Sequence, residues 1–230
     1  MIIGIAGNIN SGKDTVASIL LYLMIVGKHK AKYSDWLLKK EVYLTTYKHK
    51  ITHFADGIKD NLSRIFLLDR DLFDNRKFKD ELWFNPFTGK FIDELQTSGL
   101  HKIELENYLE LDVHKKHHIV KLRTLIQMYA EQCKIMFGQD VWVTNTIGIA
   151  NSISNTHKIC LIPDVRFERE SSAIQKAGGV IIKLNRLDNP IKVNHVSENN
   201  EISYTFLIEN EGSLFNLYNK VLAIYDKLKI

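Results

Sequence analysis

Residues 4–17 read GIAGNINSGKDTVA, and within them Gly7, Gly12 and Lys13 have the spacing G-x4-G-K. A loop of this kind turns successive backbone N–H groups into one concavity at the positive end of a helix, which suits phosphate. The glycines permit the tight path, Asn8, Asn10 and Ser11 complete the loop, and Lys13 is placed to reach the β- and γ-phosphates of a nucleotide. The usual next residue is Ser or Thr, a magnesium ligand. Here it is Asp14, with Thr15 one place late. A carboxylate is also a hard oxygen ligand, so Asp14 suits magnesium directly or through water. Thr15 lies roughly 100° around the helix from Asp14.

A second carboxylate is expected from a neighbouring strand. CLIPDVRF places Asp164 at the C-terminal end of a strand, where open α/β sheets bind ligands. Asp164 either orients magnesium or caps the next helix. Arg166 either clamps a phosphate or pairs on the surface with Glu168 or Glu170. Asn185, Arg186, Leu187 and Asp188 resemble a guanine-reading N-K-x-D, but Arg186 stands for the lysine and no D-x-x-G follows Asp164. His114, His117 and His118 alternate with lysines and no cysteine is near, so they read as a solvated basic turn rather than a metal site.

These residues need a frame. Met1 to Ala6 reads as a buried parallel strand, and the stretch from Lys13 to Val26 as a helix stopped by Gly27. ITHFA at 51–55 reads as a second strand, followed by a helix with Ile58, Leu62, Ile65 and Phe66 on one face. Residues 69–120 are charged with interleaved aromatics, and NPFTGKF reads as a turn or hairpin. We read 69–120 as a mobile, lid-like insertion within a single domain spanning 1–230. Leu122 to Phe137 is helical, with Gly138 closing it, and Asp140 is placed to cap a helix from Val141 to about Ile149. The strand KICLIPDVRF, the helix ERESSAIQKAGG and the strand VIIKLNR follow. Residues 187–203 read as a loop, YTFLIEN as a last strand, and Ser213 as the cap of a final helix. The alternation predicts a parallel sheet covered on both faces.

The totals agree with this. Hydrophobic residues make up 45% of 230, enough for a large core, and the net charge is +4 with both signs mixed. That suits an anionic small substrate better than nucleic acid. Cys133 and Cys160 have no metal or redox spacing, which suits a reducing compartment. The first apolar run leads straight into the glycine loop, so no signal peptide is expected. The run from Ile19 to Val26 is too short for a bilayer. The expectation is a cytoplasmic protein off the membrane.

Taken in order, SGKDTVA, FADGIKDNL, LRTLIQ, DVWV, DVRFERE, AGGVIIKLNR and HVSE resemble the viral deoxynucleoside monophosphate kinases, P-loop phosphotransferases common in bacteriophages. The resemblance runs from Gly4 to about Lys227, and Asp after the loop lysine is a habit of that family. It implies an α/β three-layer sandwich, with a five-stranded parallel sheet of order 2-3-1-4-5 and an inserted lid-like subdomain. It implies ATP and magnesium (Mg2+), with Asp14 and Asp164 toward the metal. On the acceptor side it suggests Lys59, Arg123, Gln127, Asp140, Trp142, Arg166 and Glu170 for the deoxynucleoside monophosphate. Arg186 would approach the transferred phosphoryl group. Lys59 also reads as a solvated helix lysine, and Trp142 as a core residue. His195, Ser197 and Glu198 would belong to a short lid at 187–203, or to a polar surface turn. The turn around Gly212 would carry adenine.

There are departures. Ala130-Glu131-Gln132 replaces the family's G-T-E, and Lys134 stands near an expected arginine. The reaction implied is transfer of the ATP γ-phosphoryl group to a phosphate acceptor, and a homodimer is plausible for the family. A P-loop kinase for another phosphorylated metabolite, or a nucleotide-dependent switch or ATPase, are the competing readings.

Overall fold

The opening apolar run forms β1 (Ile2–Gly7), and α1 (Lys13–Val26) follows the glycine loop, ending at Gly27. The structure, a computed structural model, describes residues 1–92, 100–103, 118–186 and 202–228. The chain divides into two compact units, Met1–Phe54 with Val143–Ile230, and Ala55–Trp142.

In the first unit, β1 lies between β6 (Cys160–Val165) and β7 (Val180–Asn185), and β7 pairs with β8 (Phe206–Glu209), all parallel. Side chains alternate along each strand with period two. Ile3, Ile5, Leu161, Ile182 and Leu184 pack with α1 and with α8 (Leu214–Lys227). Ile2, Ala6, Cys160, Ile162 and Ile181 pack on the other face with α6 (Val141–His157) and α7 (Glu168–Lys176). Each fully buried aliphatic side chain of this kind contributes about 1.5–3 kcal/mol. Helices thus cover both faces. Ser213 caps α8, its hydroxyl accepting from Asn216 N–H at 3.2 Å.

The sheet has four strands among the described residues, not five. ITHFA is reduced to a single parallel bridge between Ile51 and Leu161, with Thr52 N–H donating to Leu161 O at 3.0 Å. The reason lies in β6. Residues 161 and 163 turn their backbone groups to the same side of the strand, and Pro163 has no N–H for the next rung. Phe54 N–H instead donates to the Asp164 carboxylate at 3.2 Å. The bridge sits outside β6, where the second strand of the expected order would lie.

A helix the sequence reading did not anticipate, α2 (Tyr33–Thr46), packs on α1. Its Trp36 is fully buried, and the indole N–H donates to Ser18 Oγ at 3.1 Å, which in turn donates to Lys40 O at 2.7 Å. Helix α6 runs to His157, well beyond the expected Ile149.

The second unit contains α3 (Asp56–Phe66), α4 (Arg76–Glu81) and α5 (Leu122–Phe137). A small sheet accompanies them, β3 (Lys90–Ile92), β2 (Trp83–Asn85), β5 (His118–Lys121) and β4 (His101–Lys102), in that order. NPFTGKF is the β2–β3 hairpin turn, where Asn85 Oδ1 accepts from Phe87 N–H at 2.9 Å and Thr88 N–H at 3.2 Å. Ile58, Leu62, Phe73, Phe84, Val120, Leu122 and Leu125 form the core, and Phe66 packs against it. Ile65 does not join that face and is 57% exposed. His118 is no part of a solvated turn, because it lies buried in β5. His114 and His117 lie outside the described residues.

No helix among the described residues is long and apolar enough to cross a membrane. Both cysteines are free and buried, and burial pushes the Cys160 thiol up to about 12, which keeps it in the unreactive thiol form.

Candidate functional site

The glycine loop leaves β1 at Gly7 and enters α1 at Lys13. Gly12 caps the helix in the left-handed region at φ 100°, and Asn10 takes φ 61°, which asparagine tolerates better than most residues. A Cβ on Gly7 would meet Ser11 Oγ at 2.6 Å and Leu184 O at 2.8 Å, so the loop admits no larger residue there. Ser11 is buried, and its hydroxyl has no hydrogen-bond partner among the described residues. Asn8 is exposed, Thr15 half-buried. Lys13 folds back over the loop, its ammonium donating to Gly7 O and Asn8 O at 2.6 Å each. Asp14, in the first turn of α1, is exposed and carries no ion pair among the described residues.

The ends of the neighbouring strands converge on this loop. Gly7 is in register with Leu184, and Asn185 with Glu209. Arg186 Nη1 donates to Asn10 O at 3.2 Å, and Asn210 Nδ2 donates to Ser11 O at 2.7 Å. Asn210 was not among the residues the sequence singled out. Its only signal was its place at a strand end before Gly212.

On the other side of β1, Asp164 stands near the end of β6, with its Phe54 contact. Arg166 is exposed and makes no ion pair with Glu168 or Glu170 among the described residues. Glu170 instead completes the start of α7, its Oε2 accepting from Arg166 N–H at 2.7 Å and Phe167 N–H at 3.1 Å. Half of a capping box is present, because Phe167 has no side-chain acceptor to return. Glu168 accepts from Ser203 N–H at 2.6 Å and from the hydroxyls of Ser203 and Ser172 at 2.8 Å each. Ser171 donates to Ser203 O at 2.5 Å.

Burial pushes the Glu170 carboxyl up to about 7, against the two N–H donors and with a further push from Asp164. The unfolded chain releases this proton near 4.5, the folded one only near 7. Between those values the native state binds more protons, so this group's contribution to stability falls as pH rises and levels off above 7. Glu170→Gln is expected to remove that slope, with a relative gain at pH 8 of up to about 3 kcal/mol. Urea titrations of both proteins between pH 4 and 8, without magnesium or nucleotide, check it. Parallel curves would contradict it.

The remaining predicted residues lie in the second unit. Arg123 is paired there, its Nε donating to Asp80 Oδ1 and Nη2 to Oδ2 at 3.1 Å. That bond holds the Asp80 carboxyl below the usual range. Gln127, one turn on, is exposed, and its amide has no partner among the described residues. Lys59 donates to Asp74 at 2.7 Å, and Arg70 binds Asp74, Asp60 and Asp56 at 2.5, 2.6 and 3.0 Å. Burial first, then the charges of Lys59 and Arg123, push the Lys79 ammonium below its usual range. Lys134 pairs with Glu131 at 2.6 Å. Asp140 is exposed. Trp142 is buried, its indole N–H donating to Ala130 O at 3.1 Å and its ring 6.0 Å from Tyr129, which is the arrangement of a core residue. His195, Ser197, Glu198, Leu187 and Asp188 lie outside the described residues.

A parallel α/β sheet whose first strand runs through a glycine loop into a lysine-headed helix is an arrangement whose helix N-terminus suits an anion. Residues 88–221 match the model of the family described as deoxynucleotide monophosphate kinase. The match covers more than half of the chain, and the protein belongs to that family. The matched segment begins after the glycine loop. A protein of Acanthamoeba polyphaga mimivirus named "Putative deoxynucleotide monophosphate kinase" is 23% identical over 236 residues, covering 98% of this chain and 96% of its own length, the loop included.

Proposed function

We propose that the protein is an ATP-dependent deoxynucleoside monophosphate kinase, which moves the γ-phosphoryl group of ATP to a deoxynucleoside monophosphate and releases ADP and the diphosphate. The observation that carries this reading is the glycine loop with Lys13 at the head of α1, in a chain that belongs to this kinase family. The mimivirus relative's name points to the same reaction.

The donor's phosphates would lie in the glycine loop, in contact with backbone N–H groups of 8–13. Lys13 would exchange the carbonyls of Gly7 and Asn8 for phosphate oxygens. Arg186 has guanidinium N–H groups beyond the one on Asn10 O and would meet the phosphoryl group in transfer. The donor set suits magnesium, since Asp14 offers an exposed carboxylate of hard oxygens with no ion pair among the described residues, and Asp164 stands near the end of the adjacent strand. Magnesium, when bound, neutralises phosphate charge. Arg123 and Arg166 would hold the acceptor's phosphate, with Lys59 beside it and Gln127 toward the base. The phosphate oxygen that attacks is already anionic, so positioning and charge neutralisation are the main requirements. The segments 69–120 and 187–203 would exclude water within a single catalytic domain.

ADP release, coupled to an indicator reaction, is to be followed with each deoxynucleoside and ribonucleoside monophosphate in turn. ATP turnover that requires a deoxynucleoside monophosphate is expected. Turnover stimulated by DNA and by no monophosphate would overturn the reading.

A further inference from the structure

We propose that Asn210 is a positioning residue for the donor's phosphates, holding the Ser11–Gly12 peptide so that the Gly12 N–H faces the anion. This rests on the donor site proposed above and assigns it a part from the far edge of the sheet.

The geometry carries the assignment. Asn210 follows β8 directly, and its own N–H donates to Asn185 O at 2.7 Å, which fixes it to the end of β7. From there its side-chain amide reaches Ser11 O at 2.7 Å. That oxygen is outside the helical ladder, since the first α1 bond we observe is Val16 N–H to Gly12 O at 3.0 Å. A trans peptide is planar, and its C=O and N–H point in opposite directions. An amide held by its oxygen on the Asn210 side therefore turns the Gly12 N–H away from Asn210. A free loop peptide at this position can flip, and a flipped one would present an oxygen to the phosphates in place of a donor.

Gly12 is part of the same device. A Cβ there would meet Asn210 Nδ2 at 2.8 Å, so the absence of a side chain lets the amide approach. Arg186 holds the neighbouring carbonyl of Asn10, but as a charged group it also serves the phosphates directly. Asn210 has no charge to offer and acts only through the loop.

The test uses Asn210→Asp and Asn210→Ala. Asp keeps the shape but sets an acceptor against the Ser11 carbonyl. Binding of ADP and of inorganic tripolyphosphate is measured by calorimetry, steady-state kinetics are run with ATP and the best monophosphate, and melting temperatures are recorded. We expect Asn210→Asp to weaken ADP and tripolyphosphate alike by at least tenfold and to raise KM for ATP. KM for the monophosphate should stay within twofold. Asn210→Ala should do the same more mildly. Asn210→Asp binding both probes like the wild type would overturn the proposal. So would loss of ADP binding with tripolyphosphate unchanged, because the effect would then lie on the adenine side. A wild-type protein that binds tripolyphosphate in the loop but phosphorylates no monophosphate would sink the proposed reaction and leave the role of Asn210 standing.

Discussion

Lys13→Ala is expected to lower kcat/KM for ATP about 10³-fold, the scale for removing one preorganised charge from a phosphoryl-transfer site. Stability should change little. The ammonium now bonds two loop carbonyls, Gly7 O and Asn8 O, at the mouth of the loop. Water can replace it there, so the fold loses the modest net worth of partly exposed hydrogen bonds. An activity loss with an unmoved melting temperature is the expected signature. Lys13→Arg should recover little, because a planar fork does not fit a seat shaped for a compact ammonium. A Lys13→Ala protein with full activity would remove the glycine loop from the mechanism.

Arg123→Ala should cut kcat/KM for the monophosphate by about 10²–10³, since a bidentate guanidinium forms two charge-assisted hydrogen bonds with a phosphate. ADP binding should not move. The structure adds a competitor, because the Asp80 carboxylate already takes the Nε and Nη2 edge of that fork. A phosphate that binds that edge must displace it, and one on the other edge still meets a neighbouring negative charge. Asp80→Asn should therefore lower KM for the monophosphate while Arg123→Ala raises it. Arg123→Lys should restore only part of the loss, lacking the second parallel bond. Arg123→Ala with an unchanged monophosphate KM would exclude this arginine from the acceptor site.

Much of the frame was legible. β1, α1 and α5 run between the limits their apolar pattern and closing glycines define, Gly27 and Gly138 included. α2 was not, because only Trp36 of its fourteen residues is buried and Leu38 and Val42 face solvent, which hides the helical period. The loop was readable because its residues are contiguous. The pairs around it were not. Asn210 meets Ser11 across 199 residues and Arg123 meets Asp80 across 43, and no spacing in the sequence encodes either contact. Trp142 and Glu170 illustrate the limit from the other side. Their types suit a nucleoside, Trp by stacking and Glu by accepting hydrogen bonds, but one is buried in a core and the other holds a helix start.

Pro163 has a meaning for the molecule in company. An outer strand with open backbone groups is a template on which a second chain can add its own strand. β6 would be such a template, since among the described residues Ile51 covers its outer side at a single bridge. Pro163 presents a missing donor on that open side, and Asp164 beside it adds a charge. A foreign strand laid there would lose a ladder bond and bury a carboxylate. The same residue that keeps ITHFA from extending the sheet would thus disfavour strand addition by another chain at this edge.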